Sequence, residues 1–202
     1  MWRLCTVISD IKDYINELNS ALWSLETFSL QMAADEIKAC AQNHRTIFVC
    51  GNGGSAAIAN HLTCDCLKGI RTNTQLKPNV VSLSSNVPLI TAIANDINYE
   101  SIFSYQLESM MRPGDILITI SSSGNSPNIV AAIDYAKSQG NKVISMCGFD
   151  GGASLKADIP IHVKAHNYGV VEDAHQAIMH MIAQHLRREN LDPDVDITTL
   201  KF

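Results

Sequence analysis

The sequence has few charged and few aromatic residues, and it lacks any long apolar run. Charged residues make up 17% of the 202 residues and aromatic residues 6%, whereas 46% are hydrophobic. No stretch approaches the roughly 18 to 20 uninterrupted apolar residues of a membrane span. Sustained heptads, which a coiled coil requires, are also missing. Because the hydrophobic fraction is too high for a disordered chain, we expect one well-filled domain.

The sequence also has no excess of basic residues, and its cysteines do not show the spacing of a disulfide-rich scaffold or a zinc ribbon. The net charge is −5, which argues against a broad nucleic-acid or membrane-binding face. The six cysteines form no CxxC pair, and the first residues contain no apolar core of a secretory signal. We therefore expect reduced thiols and a cytoplasmic protein that contacts neither membrane nor nucleic acid directly.

The hydrophobic pattern alternates between helices and short strands. Apolar residues recur every three or four positions over residues 1–45, with one run to Leu18 and a second from Leu22 to Ala41. Strands are predicted at 46–50, 80–83, 115–120, 142–147 and 159–163, and helices at 55–68, 88–111, 128–138 and 170–188, followed by a polar tail at 190–202. This order predicts an α/β fold, a three-layer αβα sandwich with a five-stranded parallel sheet.

The first loop of chemical interest follows the first predicted strand and opens a helix. Its sequence, Gly51-Asn52-Gly53-Gly54-Ser55-Ala56, exposes backbone amides at a helix N-terminus, where an anion is favoured. The loop also matches the dinucleotide pattern G-x-G-x-x-A. That pattern requires an acidic residue about 20 positions later, and none occurs from Gly69 to Ser85. We therefore expect no nucleotide cofactor.

A second loop, Ser121-Ser122-Ser123-Gly124-Asn125-Ser126, lies between a predicted strand and a helix. Its four hydroxyl groups and the amides of the helix start can hold a phosphate monoester. The alternative is an ordinary helix cap, since serine and asparagine are favoured there. Four serines within six residues at the end of a buried strand favour anion binding.

Four segments in this order resemble a known family. Cys50-Gly-Asn-Gly-Gly-Ser-Ala, Ala94-Asn-Asp96, Ile120-Ser-Ser-Ser-Gly-Asn-Ser-Pro127 and Gly148-Phe-Asp-Gly-Gly152 resemble the sugar isomerase (SIS) domain, and more closely the phosphoheptose isomerases. The resemblance implies a flavodoxin-like fold at 46–189, an oligomerising helical extension at 1–45, and a homotetramer with active sites at subunit interfaces. It also implies substrate-binding roles for Asn52, Gly53, Gly54, Asn95, Asp96, Ser121, Ser122, Ser123 and Ser126. Ser55 and Glu172 are further candidates.

The resemblance also places the proton-transfer groups of an isomerase. Asp65 and His180 occupy the positions of the catalytic pair; His61 and His180 match the family, whereas the family has a glutamate at position 65 and a glutamine at position 172. An aldose–ketose isomerisation needs such a base and acid around an enediol. We hypothesise a zinc ion held by His61, Asp65, Glu172 and His180, because a cation would relieve the repulsion between two carboxylates.

Helix geometry constrains this ligand set. Positions 172 and 180 are about 12 Å apart along a regular helix. Either Glu172 therefore precedes the regular helix, or the ligands come from different subunits.

The function implied is interconversion of sedoheptulose 7-phosphate and D-glycero-D-manno-heptose 7-phosphate, for lipopolysaccharide or capsule precursors. Two alternatives remain open. One is a non-catalytic SIS adaptor that binds a protein partner such as the bacterial replication initiator. The other is an isomerase or sensor of a different phosphosugar.

Overall fold

The computed structural model describes residues 7–196 and contains a five-stranded sheet in the middle of the molecule. Its strands are β1 (Thr46–Gly51), β2 (Asn79–Ser82), β3 (Ile116–Ser121), β4 (Lys142–Cys147) and β5 (Ile159–His162). All neighbouring strands are parallel, and their order is β2-β1-β3-β4-β5. The three central strands are buried on both faces, which explains their continuous apolar sequence.

Helices cover both faces of the sheet. They are α1 (Val7–Trp23), α2 (Thr27–Gln42), α3 (Gly54–Cys64), α4 (Val87–Asp96), α5 (Ser104–Met110), α6 (Pro127–Ser138) and α7 (Tyr168–Glu189). Alternate residues of the three central strands enter two separate cores. Ile47 and Val49 pack with α1, α2, α3 and α7, whereas Phe48 and Cys50 pack with α4, α5 and α6. The predicted three-layer αβα sandwich is confirmed.

The predicted helix at 88–111 is wrong in its middle. The structure divides this segment into α4, a 3-10 turn at Tyr99–Ser101, and α5. Asn98 causes the break, because its side chain accepts a hydrogen bond from the Ser101 amide at 2.8 Å. An asparagine that bonds locally to the backbone competes with the helical ladder.

The predicted helix at 55–68 also changes its character before it ends. After Cys64 the chain continues as a π-helical turn, Asp65–Ile70. Turns of this kind are rare and often occur at functional sites. Cys66 and Ile70 of the turn are buried in the core, while Asp65 begins it. The wider turn therefore starts at a predicted catalytic residue.

The N-terminal segment is helical over the part that the structure describes. Its second helix begins at Thr27 rather than at Leu22, and α2 contributes Ala33, Ala34 and Ile37 to the core. Helix α1 is attached to α7 by the Tyr14 hydroxyl, which donates to Asp173 at 2.7 Å. That hydrogen bond is the main reason why the pKa of Tyr14 rises to about 12. Cys5 and the end of the polar tail lie outside the described residues.

Much of the apolar surface of α1 is uncovered. Val7 is 74% exposed and Ile8 68%, and Ile11 and Ile15 lie one and two turns further along with about half of their surface in contact with solvent. Within residues 7–196, no helix combines the length and the apolar character that a membrane crossing would require.

Candidate functional site

Both predicted loops leave the sheet at its topological switch point. The strand order reverses between β1 and β3, and ligands of doubly wound sheets bind in the crevice at such a point. Gly51 at the end of β1 lies opposite Ile120 near the end of β3. The glycine-rich loop 51–54 and the serine loop 121–126 therefore open at the same edge.

The glycine-rich loop requires glycine at two positions. Gly53 has φ 54° and ψ −121°, a backbone conformation that side chains disfavour. Gly54 begins α3, and a Cβ atom there would overlap with the Glu172 carboxylate. The N-cap residue of α3 is Gly53, which has no side chain to cap the first amides of the helix. These amides and the positive end of the helix dipole remain able to bind an anion.

The serine loop contains hydroxyl groups in two kinds of environment. Ser121 and Ser123 accept hydrogen bonds from the amides of Gly124 and Asn125, so they shape the turn. Ser126 occupies the N-cap position of α6 but makes no side-chain cap bond. The Ser122 hydroxyl is buried and has no partner among the described residues. A buried unpaired hydroxyl is costly unless a ligand satisfies it, which favours anion binding over simple capping.

A pocket of about 150 Å³ lies between the two loops. It is lined by Asn52, Ser55, Ile120, Ser121, Ser122, Ser123, Ser126, Tyr168 and Glu172. Seven of these residues are predicted substrate-binding residues. Asn95 and Asp96 are not part of the lining: they are exposed at the end of α4, where Asn95 donates a hydrogen bond to Asp96 at 2.8 Å.

One pocket residue and two residues that hydrogen-bond to Asn52 are not identified by sequence analysis. Tyr168 lines the pocket from the start of α7. Asn128, just beyond the serine loop, exchanges two hydrogen bonds of 2.9 Å with Asn52. The Tyr99 hydroxyl donates to the same Asn52 side chain at 3.1 Å. Asn128 is next to a recognised motif, whereas nothing in the sequence brings Tyr99 or Tyr168 near Asn52.

A second group of candidate functional side chains lies where α3 and the turn after it pass α7. Asp65 Oδ1 is 3.6 Å from His61 Nε2, and Asp65 Oδ2 is 3.4 Å from His180 Nε2. The two imidazole rings are edge to face, with centroids 5.0 Å apart. His61 and His180 are 48% and 41% exposed, and Asp65 is 23% exposed. The carboxylate and both rings are therefore accessible to a ligand.

This group, called here the His–Asp–His centre (His61, Asp65 and His180), fits a divalent metal ion. Each residue offers one ligand atom, and the three atoms lie within 4.8 Å of one another. Two imidazoles and a carboxylate are a zinc-type donor set with room for further ligands. The Gln176 carboxamide also contacts both rings, although sequence analysis does not identify it.

The structure does not bring Glu172 to the His–Asp–His centre. Glu172 lies inside α7, so it does not precede the regular helix, and its carboxylate faces Gly54 at the pocket between the two loops. The two carboxylates, Asp65 and Glu172, are therefore separated, and their mutual repulsion is no reason for a metal. Within one protomer, three of the four proposed ligands lie together, namely His61, Asp65 and His180, and Glu172 lies apart from them.

A cavity of about 420 Å³ adjoins the His–Asp–His centre. Asp65 and His180 form one wall, and Gly69, Ala183, Gln184 and Arg187 complete the lining. Arg187 is nearly buried there and donates to the Thr72 carbonyl at 3.2 Å. The centre thus faces open space rather than packed side chains.

His175 lies on α7 between the pocket and the centre. It is completely buried, and neither ring nitrogen has a hydrogen-bond partner in residues 7–196. Burial lowers the pKa of His175 to about 4, and the nearby Cys147 backbone offsets only part of that effect. His175 is therefore neutral in the folded protein near pH 7.

Comparison with known proteins agrees with this architecture. The SIS domain family model matches residues 12–148, and the chain belongs to the SIS-domain family. A phosphoheptose isomerase from Shewanella denitrificans is 35% identical over 164 residues, covering 79% of this chain and 83% of that protein. Within the SIS-domain family, the chain therefore belongs with the phosphoheptose isomerases, which confirms the prediction of an aldose–ketose isomerase acting on a phosphosugar.

Two solved structures extend the likeness over nearly the whole fold. The phosphoheptose isomerase from Neisseria gonorrhoeae matches with a TM-score of 0.82 at 28% identity, covering 90% of this chain and 97% of that one. The phosphoheptose isomerase from Francisella tularensis gives a TM-score of 0.83 at 27% identity, covering 93% and 100%. The predicted flavodoxin-like SIS fold is confirmed.

Proposed function

We propose that the protein interconverts sedoheptulose 7-phosphate and D-glycero-D-manno-heptose 7-phosphate. One observation carries the proposal: a single protomer combines a pocket of amides and hydroxyl groups at the sheet edge, with Glu172 as the one carboxylate of its lining, and a carboxylate–imidazole pair further along α3 and α7. The two sites are separated by about 12 Å along α7, from position 172 to position 180. That separation is comparable to the length of an extended seven-carbon phosphate ester.

The phosphate end of the substrate binds between the glycine-rich and serine loops. The amides at the start of α3 and the hydroxyls of Ser122 and Ser126 donate hydrogen bonds to the phosphate oxygens. Neutral donors and helix dipoles hold a dianion here without a lysine or arginine in the pocket lining. The Asn52 carboxamide, fixed by Asn128 and Tyr99, orients the sugar.

Asp65 and His180 exchange the protons of the enediol mechanism. The reaction removes a proton from the carbon next to the carbonyl group and returns one to the adjacent carbon, while a proton moves between the oxygens. The Asp65 carboxylate and the His180 ring are 3.4 Å apart, so both reach the same two-carbon unit. His61, on the other side of Asp65, holds the carboxylate in place.

A zinc ion is part of this proposal. His61, Asp65 and His180 would hold it, as their separations and donor types allow. When bound, the ion supplies Lewis acidity toward the carbonyl and hydroxyl oxygens of the sugar.

We also propose that the protein assembles as a homotetramer through the segment 1–45, with active sites completed at subunit interfaces. The uncovered apolar side chains of α1 support this assembly, because apolar patches of this kind mark protein contacts. The position of Asn95 and Asp96 outside the pocket lining supports a contribution from a neighbour. In this role the enzyme supplies a cytoplasmic heptose precursor for lipopolysaccharide or capsule.

The decisive experiment is incubation of the purified protein with sedoheptulose 7-phosphate and detection of the aldose by NMR, with and without added zinc. Wild-type protein should convert the ketose, and Asp65→Asn and His180→Ala should not do so measurably. Asp134→Asn, on the exposed face of α6, is the matched control for Asp65→Asn and should turn over normally.

Two results would contradict the proposal. Full turnover by both variants would remove Asp65 and His180 from the chemistry. Failure of the wild-type protein to convert any heptose phosphate, with or without zinc, would favour the non-catalytic adaptor or a different phosphosugar.

A further inference from the structure

The segment 148–152, which follows β4, contains a phenylalanine in an unusual backbone conformation. Phe149 has φ 49°, which lies in the left-handed region. Glycine, asparagine and aspartate tolerate this region, whereas a bulky side chain is strained there. Such strain persists only where the surrounding structure fixes it, and it is concentrated at functional sites. Phenylalanine at this position therefore indicates a role for its side chain.

Two hydrogen bonds hold the backbone of Phe149 in this conformation. Its amide donates to the Ala165 carbonyl at 2.9 Å, and its carbonyl accepts from His162 Nε2 at 2.8 Å. The neighbouring Gly148 amide donates to the Ser122 carbonyl at 2.9 Å. The strained residue is therefore fixed both to the segment before α7 and to the serine loop of the pocket.

The Phe149 ring packs against Tyr168, the first residue of α7. The ring centroids are 4.7 Å apart and the ring planes are tilted by 56°, as in favourable aromatic pairs. The Phe149 ring also meets His166 edge to face, with centroids 5.7 Å apart. Since Tyr168 lines the pocket between the two loops, the strained residue contacts the pocket lining with its side chain.

Tyr168 and Glu172 form the α7 side of this pocket. They are four residues apart, so they project from one helix face. The first amides of α7 are already bonded to the Asn167 side chain, at 3.0 and 3.4 Å. Helix α7 therefore contributes to the pocket through side chains rather than amides. Tyr168 is 63% exposed in spite of its contact with Phe149, and its hydroxyl has no hydrogen-bond partner within residues 7–196.

We propose that Tyr168 contacts the substrate, with its hydroxyl donating a hydrogen bond to the phosphate group, and that Phe149 is the residue that positions it. The inference rests on the proposed function, in which this pocket binds the phosphate end of the sugar. A phenol is a neutral donor, as the serine hydroxyls are. On the helix face that carries the Glu172 carboxylate, such a donor offsets part of the repulsion of a dianion. The Phe149 ring restricts the Tyr168 side chain before the ligand binds, which reduces the entropy lost on binding.

The test measures binding of inorganic phosphate rather than turnover. A bound ligand raises the melting temperature by an amount that depends on its concentration and dissociation constant. Tyr168→Phe removes only the hydroxyl and should weaken phosphate binding by about 10-fold, as expected for one hydrogen bond to a charged group. Tyr105→Phe, at an exposed position on α5, is the matched control and should bind phosphate as wild type does.

The role of Phe149 is tested with a variant that keeps the backbone but loses the ring. Phe149→Asn tolerates φ 49° and should weaken phosphate binding by about 2- to 10-fold, the cost of ordering one side chain. Phe149→Tyr keeps an aromatic ring and should restore wild-type binding. In a Tyr168→Ala background, Phe149→Asn should have no further effect, because Phe149 acts through Tyr168. Melting without phosphate shows whether each variant folds.

Ser122→Ala separates failure of this inference from failure of the phosphate site. Normal phosphate binding by Tyr168→Phe, with weakened binding by Ser122→Ala, would overturn the inference and leave the pocket as the phosphate site. Unchanged binding in both variants, or no effect of phosphate on wild type, would overturn the inference and the phosphate site together. An equal effect of Phe149→Asn with and without the Tyr168 ring would show that Phe149 does not position Tyr168. Turnover of sedoheptulose 7-phosphate tests the isomerase proposal separately.

Discussion

The pocket between the two loops and the His–Asp–His centre are built in opposite ways. The pocket uses backbone amides and neutral hydroxyls, most of them from two short contiguous segments at the ends of β1 and β3. The centre uses titratable side chains, which two helices bring together from positions more than 100 residues apart. The first arrangement suits the binding of a group that does not react, and the second suits proton transfer.

This division of labour predicts that the two regions control different kinetic constants. An interaction made equally in the bound substrate and in the transition state affects KM, whereas a proton carrier affects kcat. Variants of one region can therefore be used to test the role of the other.

The largest expected effect is that of Asp65→Asn, which should lower kcat by about 10²- to 10⁴-fold, the usual contribution of a general acid or base. KM should change little, because the pocket loops are untouched. Steady-state kinetics with sedoheptulose 7-phosphate measure both constants. A variant that raises KM while kcat is preserved would break the proposed contrast, since Asp65 would then be a binding residue.

The next prediction concerns His175, which lies on α7 between the two regions. Its pKa is about 4 in the folded protein and near 6.5 when unfolded, so the unfolded chain takes up a proton first as the pH falls. The contribution of neutral His175 to the free energy of unfolding is fully present above pH 6.5. It is lost as the pH falls through 4, by about 3 kcal/mol in total. When the packing of α7 is lost at low pH, substrate binding by the pocket and proton transfer at the His–Asp–His centre should be lost together.

Chemical denaturation from pH 7.5 to pH 4.5 checks this prediction. The free energy of unfolding of His175→Met should depend less on pH than that of wild type, because methionine does not titrate. His44→Asn is the control: His44 is an exposed histidine at φ 54°, a backbone conformation that asparagine tolerates. Equal pH dependence in wild type and His175→Met would contradict a buried neutral His175.

The same contrast explains how much could be predicted from the sequence. The strands, the sheet class and both pocket loops are local patterns, and the structure agrees with them to within one or two residues. The pairing of His61 with Asp65 also follows from spacing along one helix. Tertiary packing alone brings three further residues to the sites, namely Gln176, Tyr168 and Tyr99. The position of Glu172 depends on how α7 lies against α3, and no local sequence pattern determines that packing.

A more moderate effect is expected for Ser122→Ala, which should raise KM about 10- to 100-fold with little change in kcat. The loss corresponds to one hydrogen bond to a charged group. Stability should stay equal or increase slightly, because the buried hydroxyl has no partner in the described structure. Ser138→Ala, an exposed position at the end of α6, is the control. Lower stability with unchanged KM would mean that Ser122 serves the fold rather than the phosphate.

The smallest effect should come from Glu172→Gln. The Glu172 carboxylate faces the start of α3 and lines the same pocket as the serine hydroxyls, so it repels a phosphate dianion at this position. Removing the charge should lower KM by about 2- to 10-fold, the size of a partly screened interaction between charges. The difference between variant and wild type should shrink at high salt. A higher KM in the variant would show that the carboxylate accepts hydrogen bonds from the sugar, so that this pocket binds the sugar hydroxyls and the phosphate lies elsewhere.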